Sequence, residues 1–219
     1  MSIHTRVTPF RVLAMLTLLI SACQPTVTVG SDQSFLLDVP SPEAHMSTEI
    51  TLQLAAGAGT LALRGGAASL MQGDITYNAA EYEPEITNGD GAVLVSQKGP
   101  RGLFLKGNPD LINSWDLKFG EAPMSLIISL DTGNYTVEFA ESLPANLNVE
   151  LKADVGNVDL VFARGLTAQV ILGEGGNLKV KAQGDWKHSG NTYTLGDGTI
   201  GITITVVEMT IGNLTLGSK

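Results

Sequence analysis

The pair Gly-Asn recurs four times with the same surroundings: "GNYTV" at 133–137, "GNVDL" at 156–160, "GNLKV" at 176–180 and "GNLTL" at 212–216. Behind each pair the apolar residues alternate strictly: Tyr135, Val137 and Phe139; Val158, Leu160 and Phe162; Leu178, Val180 and Ala182; Leu214 and Leu216. A period of two describes a half-buried β-strand. The segments entering the turns alternate as well, with Leu126, Ile128 and Leu130 matching Val149, Leu151 and Ala153. Near the front Leu52, Leu54 and Ala56 lead through "GAGT" to Leu61 and Leu63, the same unit without the Asn.

Spacings of 23, 20 and 36 residues between the pairs fit one supersecondary unit repeated and stacked. The expected fold is all-β, a β-solenoid of stacked coils, with a β-sandwich of hairpins as the alternative that periodicity leaves open. The 25 glycines among 219 residues exceed the usual share of about 7%, as short strands with glycine corners require. The corners are Gly133 and Asn134, Gly156 and Asn157, Gly176 and Asn177, and Gly212 and Asn213. The long third spacing points to an inserted hairpin in "GDWKHSGNTYTLGDG" at 184–198. "NGDG" at 88–91 marks another hairpin between Glu85–Thr87 and Ala92–Gln97, followed by a loop to Trp115.

Residues 1–22 read as a signal peptide: Arg6 and Arg11, then the apolar run "VLAMLTLLI", then "SAC". "LISACQ" resembles the lipobox of bacterial lipoproteins, which implies that Cys23, the single cysteine of the chain, is acylated and becomes the N-terminus. Several acyl chains give stable anchoring where one does not. Residues 23–34 are then the lipidated Cys and a polar tether, and 35–219 a single β domain. The expected location is extracytoplasmic, lipid-anchored to a bacterial membrane.

The formal net charge is −9, and its basic residues stand singly among the acids. Phosphate neutralisation needs a basic face, so nucleic acid is excluded as a partner. No cofactor is called for.

Four segments carry a family likeness: "LAAGAGTLALRGGAASLMQGDITYN" at 54–78, the hairpin ending "VLVSQK", "NSWDLKF" at 113–119 and "PMSLIISLDTGNYTVEF" at 123–139. Together they resemble the toast-rack family of bacterial envelope proteins over about residues 45–185. That likeness extends to the C-terminal domain of cell-wall-active-antibiotic-response proteins and to adhesin-type solenoids. It implies stacked β-strands and a non-enzymatic envelope module. This chain departs from the pattern by placing Asn134 and Asn157 where the family has a second glycine, and by lacking a transmembrane helix.

Three candidate sets remain. A carboxylate stands two residues before the turn glycine in three copies, Asp131, Asp154 and Glu174. Stacked in register, these acids would form a weak candidate Ca²⁺ column with the Asn side chains, or the Asn residues would simply form a structural ladder. Trp115 with Asp116 is the candidate ligand contact, by stacking on a sugar, although a core role suits that Trp as well. For catalysis, His45 and His188 lack the Ser or Cys partner and orienting group that nucleophilic chemistry needs. The expected function is therefore a membrane-anchored binding or scaffold module with an envelope protein or a cell-wall glycan as partner. The alternatives are a regulatory domain touching a membrane sensor, or a carbohydrate-active β-helical enzyme.

Overall fold

The computed structural model describes residues 27–42, 47–99, 110–144, 146–173 and 177–219. In chain order its strands are β1 (Gln33–Val39), β2 (Thr48–Leu54), β3 (Gly57–Gly65), β4 (Met71–Tyr77), β5 (Pro84–Gly89), β6 (Ala92–Gln97), β7 (Asn113–Phe119) and β8 (Met124–Leu130). They continue as β9 (Gly133–Phe139), β10 (Leu147–Phe162), β11 (Ala168–Leu172), β12 (Asn177–Gln183), β13 (Trp186–Ser189), β14 (Thr192–Leu195) and β15 (Ile202–Ser218). Among the described residues the one helical element is a single 3₁₀ turn at Ala80–Tyr82.

Six coils stack in parallel, each made of two strand segments that meet at a corner. Their spatial order is β6/β7, β2/β3, β8/β9, β10, β15 and β11/β12, with β10 and β15 running unbroken through their corners. Antiparallel strands finish the ends: β4 and β5 add to β7 and β6, β1 adds to β4, and the β13–β14 hairpin adds to β11. A sandwich built from hairpins would pair its neighbours antiparallel. The parallel rungs make this the solenoid.

Inward side chains form columns across the rungs. Ile50, Leu126, Val149 and Ile204 make one, and Leu61, Val137, Leu160 and Leu216 another; all eight are at most 2% exposed. Phe139 stacks on Phe162 at 5.0 Å between ring centres, and Trp186 closes edge-on against Phe162 at 5.2 Å. Burying each large aliphatic side chain in such a column is worth about 1.5–3 kcal/mol.

The stack does not follow chain order: β15, the last strand, lies between β10 and β11/β12, and β2/β3 lies between β6/β7 and β8/β9. Two expectations need correction. The stretch read as a loop to Trp115 ends in a full strand, since β7 begins at Asn113 and completes a coil with β6. The tether is shorter than residues 23–34, because Val27 packs against the core, the Gly30 N–H donates to the Asn78 carbonyl at 2.6 Å, and β1 starts at Gln33.

Both hairpins form. Asp90 and Gly91 have φ of 35° and 80°, the paired positive values that a two-residue turn of matching twist demands. The hairpin within 184–198 does not stand away from the body; β14 continues the sheet from β11.

Candidate functional site

The corners explain themselves by contact. Gly57, Gly133, Gly156 and Gly212 lie in one column, each paired with the next. A Cβ on Gly133 would sit 2.1 Å from the Gly57 carbonyl oxygen, one on Gly156 1.8 Å from that of Gly133, and one on Gly212 1.9 Å from that of Gly156. The glycines are there because each rung's backbone occupies the next rung's Cβ position, a stronger demand than chain reversal alone.

Outside this column runs an amide ladder. Asn157 Nδ2 donates to Asn134 Oδ1 at 2.6 Å, and Asn213 Nδ2 donates to Asn157 Oδ1 at 2.6 Å. The fourth copy is out of register: on β12 Asn177 pairs with Ile211, and Lys179 stands opposite Asn213. A slip of two residues keeps inward and outward faces intact, so β12 retains its core contacts while losing the Asn position. Gly176 and Glu174 lie outside the described residues.

Asp131 and Asp154 occupy neighbouring rungs at the corner, and Thr210 follows between the pairs Ala153–Met209 and Val155–Ile211. Asp154 is raised above the usual carboxylate range, first by partial burial, then by the Asp131 and Glu208 charges. Asp131 Oδ1 instead accepts the Thr132 N–H at 2.6 Å, capping its own turn. Among the described residues no group of three or more His, Cys, Asp or Glu side chains is placed to hold a metal ion. Two tyrosines brace the same corner: Tyr135 donates its hydroxyl to the Ala55 carbonyl at 2.7 Å, and Tyr82 donates to the Ala56 carbonyl. Burial pushes the Tyr82 phenol up to about 12 and raises Tyr135 too.

Trp115 is fully buried and cannot stack on a ligand. Its Nε1–H donates to Asn113 Oδ1 at 2.9 Å. Asn113 Nδ2 donates in turn to Gln97 Oε1 at 3.0 Å, and Gln97 Nε2 to the Tyr82 carbonyl at 2.7 Å. This polar plug sits where β6 ends and β7 begins, and sequence periodicity gave no sign of Gln97 or Asn113. Asp116 does face outward, paired with Arg64 at 2.9 Å.

The outward side of the β1-to-β12 leaf carries a polar row along its full width. The pairing registers place Ser34, Thr76, Ser114, Thr60, Thr136, Asp159, Thr215 and Lys181 in one row crossing all eight strand segments. None is buried. Beside it run Ala58, the three ladder Asn residues and Lys179. On the other leaf the equivalent row, Thr87, Leu94, Thr51, Ile127, Glu150, Thr205, Ile171, Thr192 and Ser189, is broken by three aliphatic side chains. Two residues away the same leaf has a polar row across seven strands, Glu49, Ser125, Asn148, Thr203, Gln169, Thr194 and Lys187, whereas the row on the first leaf spans all eight of its segments at the rung spacing of about 4.8 Å.

A cleft of 630 Å³ lies at the opposite side of the coils, between return loops, lined by Gly65, Phe119, Glu121, Met124, Ser142 and Asn146 among others. It contains one carboxylate and no base to pair with it. His188 stacks on Tyr193 at 4.2 Å in the terminal hairpin, with its Nε2 2.9 Å from the Gly190 carbonyl.

The model of the N-terminal domain of toast_rack, DUF2154, matches residues 26–160. The chain belongs to the toast-rack family. Among solved structures this toast-rack protein is similar to a candidate cell adhesion protein from Clostridium sporogenes, at 21% identity and a TM-score of 0.56, covering 86% of this chain and 100% of that one. That likeness shows the fold. A candidate adhesin from Parabacteroides distasonis matches at 14% identity and a TM-score of 0.29, covering 85% of this chain and 70% of its own. No curated protein matches the toast-rack chain. Among the described residues no helix is long and apolar enough to cross a membrane.

Proposed function

We propose that this toast-rack protein is a non-catalytic, lipid-anchored module of the bacterial envelope that binds an extended hydroxyl-rich polymer, a cell-wall glycan, along the Ser/Thr row. The unbroken row across eight strand segments carries the reading. Each rung presents a hydroxyl, carboxylate or ammonium group at a repeat of about 4.8 Å, close to the length of a sugar unit, so a linear glycan laid across the strands meets a partner at every rung. Neutral hydroxyl and amide pairs are individually worth about 1 kcal/mol, and affinity comes from their number.

Cys23 supplies the anchor in this reading. Only Gln24, Pro25 and Thr26 separate it from Val27, which packs on the core, so the covalent reach is about 13 Å. The body is held close to the lipid. The adhesin-type relative of the same fold agrees with a binding role.

The test has two parts. The full chain expressed in a bacterial host incorporates labelled palmitate, and Cys23→Ala does not. The detergent-solubilised protein is retained on purified cell-wall glycan; passage without retention contradicts the glycan reading, and capture of one membrane protein by crosslinking in its place favours the sensor-contact alternative.

A further inference from the structure

β1 ends its leaf with an open edge. Among the described residues it pairs only with β4, in unbroken register from Gln33–Tyr77 to Val39–Met71, so its far side presents the backbone donors and acceptors of alternate residues along the strand. The opposite leaf stops one rung earlier, at β5 on β6. Free edges are templates for another chain, and proteins blunt them with Lys, Pro, bulges or short length. β1 reads "QSFLLDV" and has no Lys, Pro or bulge; its single charge, Asp38, stands next to its last residue and accepts from Ser69 and Gln72 of its own chain. Its outward Leu36 is 78% exposed, and Phe35 on the inward side is only partly covered while Leu37 and Val39 are buried. The other end of the same leaf is guarded: β12 carries Lys179 and Lys181 outward, and the β13–β14 hairpin extends the companion leaf beyond it.

We propose that the β1 edge pairs with the β1 edge of a second copy, antiparallel about a two-fold axis through Leu36. The strand is self-complementary in that arrangement. Leu36 meets the partner's Leu36, Phe35 meets the partner's Leu37, and Ser34 offers its hydroxyl to the partner's Asp38. A parallel pairing in register would set Asp38 against the partner's Asp38, and like charges directly opposite destabilise a sheet. Joining β1 to β12 of another copy would leave Leu36 beside a lysine-bearing strand and build an open fibre, whereas the two-fold pairing closes at two. It continues the antiparallel order already set by β1 and β4, and it removes from water the most exposed large apolar side chain among the described residues.

This inference stands apart from the glycan reading. The experiment uses the full chain in membranes, mildly oxidised and run on a non-reducing gel. Side chains directly opposite across an antiparallel pair lie about 4.5–5.5 Å apart at Cβ, within disulfide reach after small adjustment. Leu36→Cys therefore shifts most of the chain to twice the monomer mass. Ser34→Cys alone and Asp38→Cys alone stay largely monomeric, but the two co-expressed give a crosslinked pair. Lys181→Cys and the unsubstituted chain stay monomeric. Leu36→Cys crosslinking no better than Lys181→Cys overturns the dimer, as does Ser34→Cys alone crosslinking as strongly as Leu36→Cys. Since Leu36 is exposed, its substitution leaves the monomer fold intact, which the unchanged melting temperature of the reduced variant verifies.

Discussion

The amide of Asn157 donates to the Oδ1 of Asn134 at 2.6 Å across a parallel rung and accepts at its own Oδ1 from Asn213 at 2.6 Å. Asn157 is the only member of the three that makes two ladder bonds. Each exposed bond is worth about 0.5–1 kcal/mol. Asn157→Ala is thus expected to cost about 1–2 kcal/mol by urea denaturation, about twice the cost of Asn134→Ala or Asn213→Ala. Equal costs for all three would show that the ladder bonds carry no stability.

The glycine column predicts a larger effect. In Gly156→Ala the new methyl carbon falls 1.8 Å from the Gly133 carbonyl oxygen, and φ is +147°. Overpacking and backbone strain together cost about 3 kcal/mol or more. Gly89→Ala is the control, with nothing within 4 Å of its added Cβ, and is expected to stay within about 0.5 kcal/mol of the parent.

Trp115→Ala removes the largest fully buried side chain among the described residues and leaves the Asn113 Oδ1 with Gln97 Nε2 as its remaining donor. About 3–5 kcal/mol of stability is lost, measured as a lower urea midpoint. Any loss of ligand binding in that variant reports unfolding and says nothing about sugar contact. Gln97→Leu, which strips partners from both Asn113 and the Tyr82 carbonyl, should cost about 2 kcal/mol.

The raised Asp154 carboxyl sets a pH dependence. Its folded state holds the proton more tightly than the unfolded chain does, so full stability is present below the ordinary value of 3.8 and a little is lost as the pH rises through the higher folded value. Asp154→Asn removes that loss. Because the residue is exposed, the gain at pH 7 is only a few tenths of a kcal/mol, about 1 °C in Tm, and it disappears at pH 3. A gain that persists at pH 3 would assign the effect to something other than ionisation.

Strand period and corner chemistry are local properties, so the coils with Leu126–Leu130, Val149–Ala153 and their GN corners were legible from the residues, as were the turn at Asp90–Gly91 and the Asn ladder. Rung order is not local. Nothing in the sequence around Ile202 tells that β15 slides between β10 and β11/β12, because every outward or inward pattern in the stack is compatible with any neighbour of the same phase. The same ambiguity hid the two-residue slip that sets Lys179 beside Asn213. Gln97 and Asn113 escaped notice because a buried polar pair at a strand end looks like a turn. The Ser/Thr row is a product of register: Thr60, Thr136 and Thr215 are separated by scores of residues and become one line only when the rungs are ordered.

The most direct measurement is the affinity of the full chain for isolated cell-wall glycan, compared with that of Thr60→Val/Thr136→Val/Thr215→Val. Valine keeps the shape and β preference of threonine while deleting the hydroxyl, so the fold should persist with Tm unchanged. Losing three hydrogen bonds of about 1 kcal/mol each predicts a Kd weaker by about 100-fold. An unchanged Kd, or no binding by the parent chain, would contradict the assignment of this face.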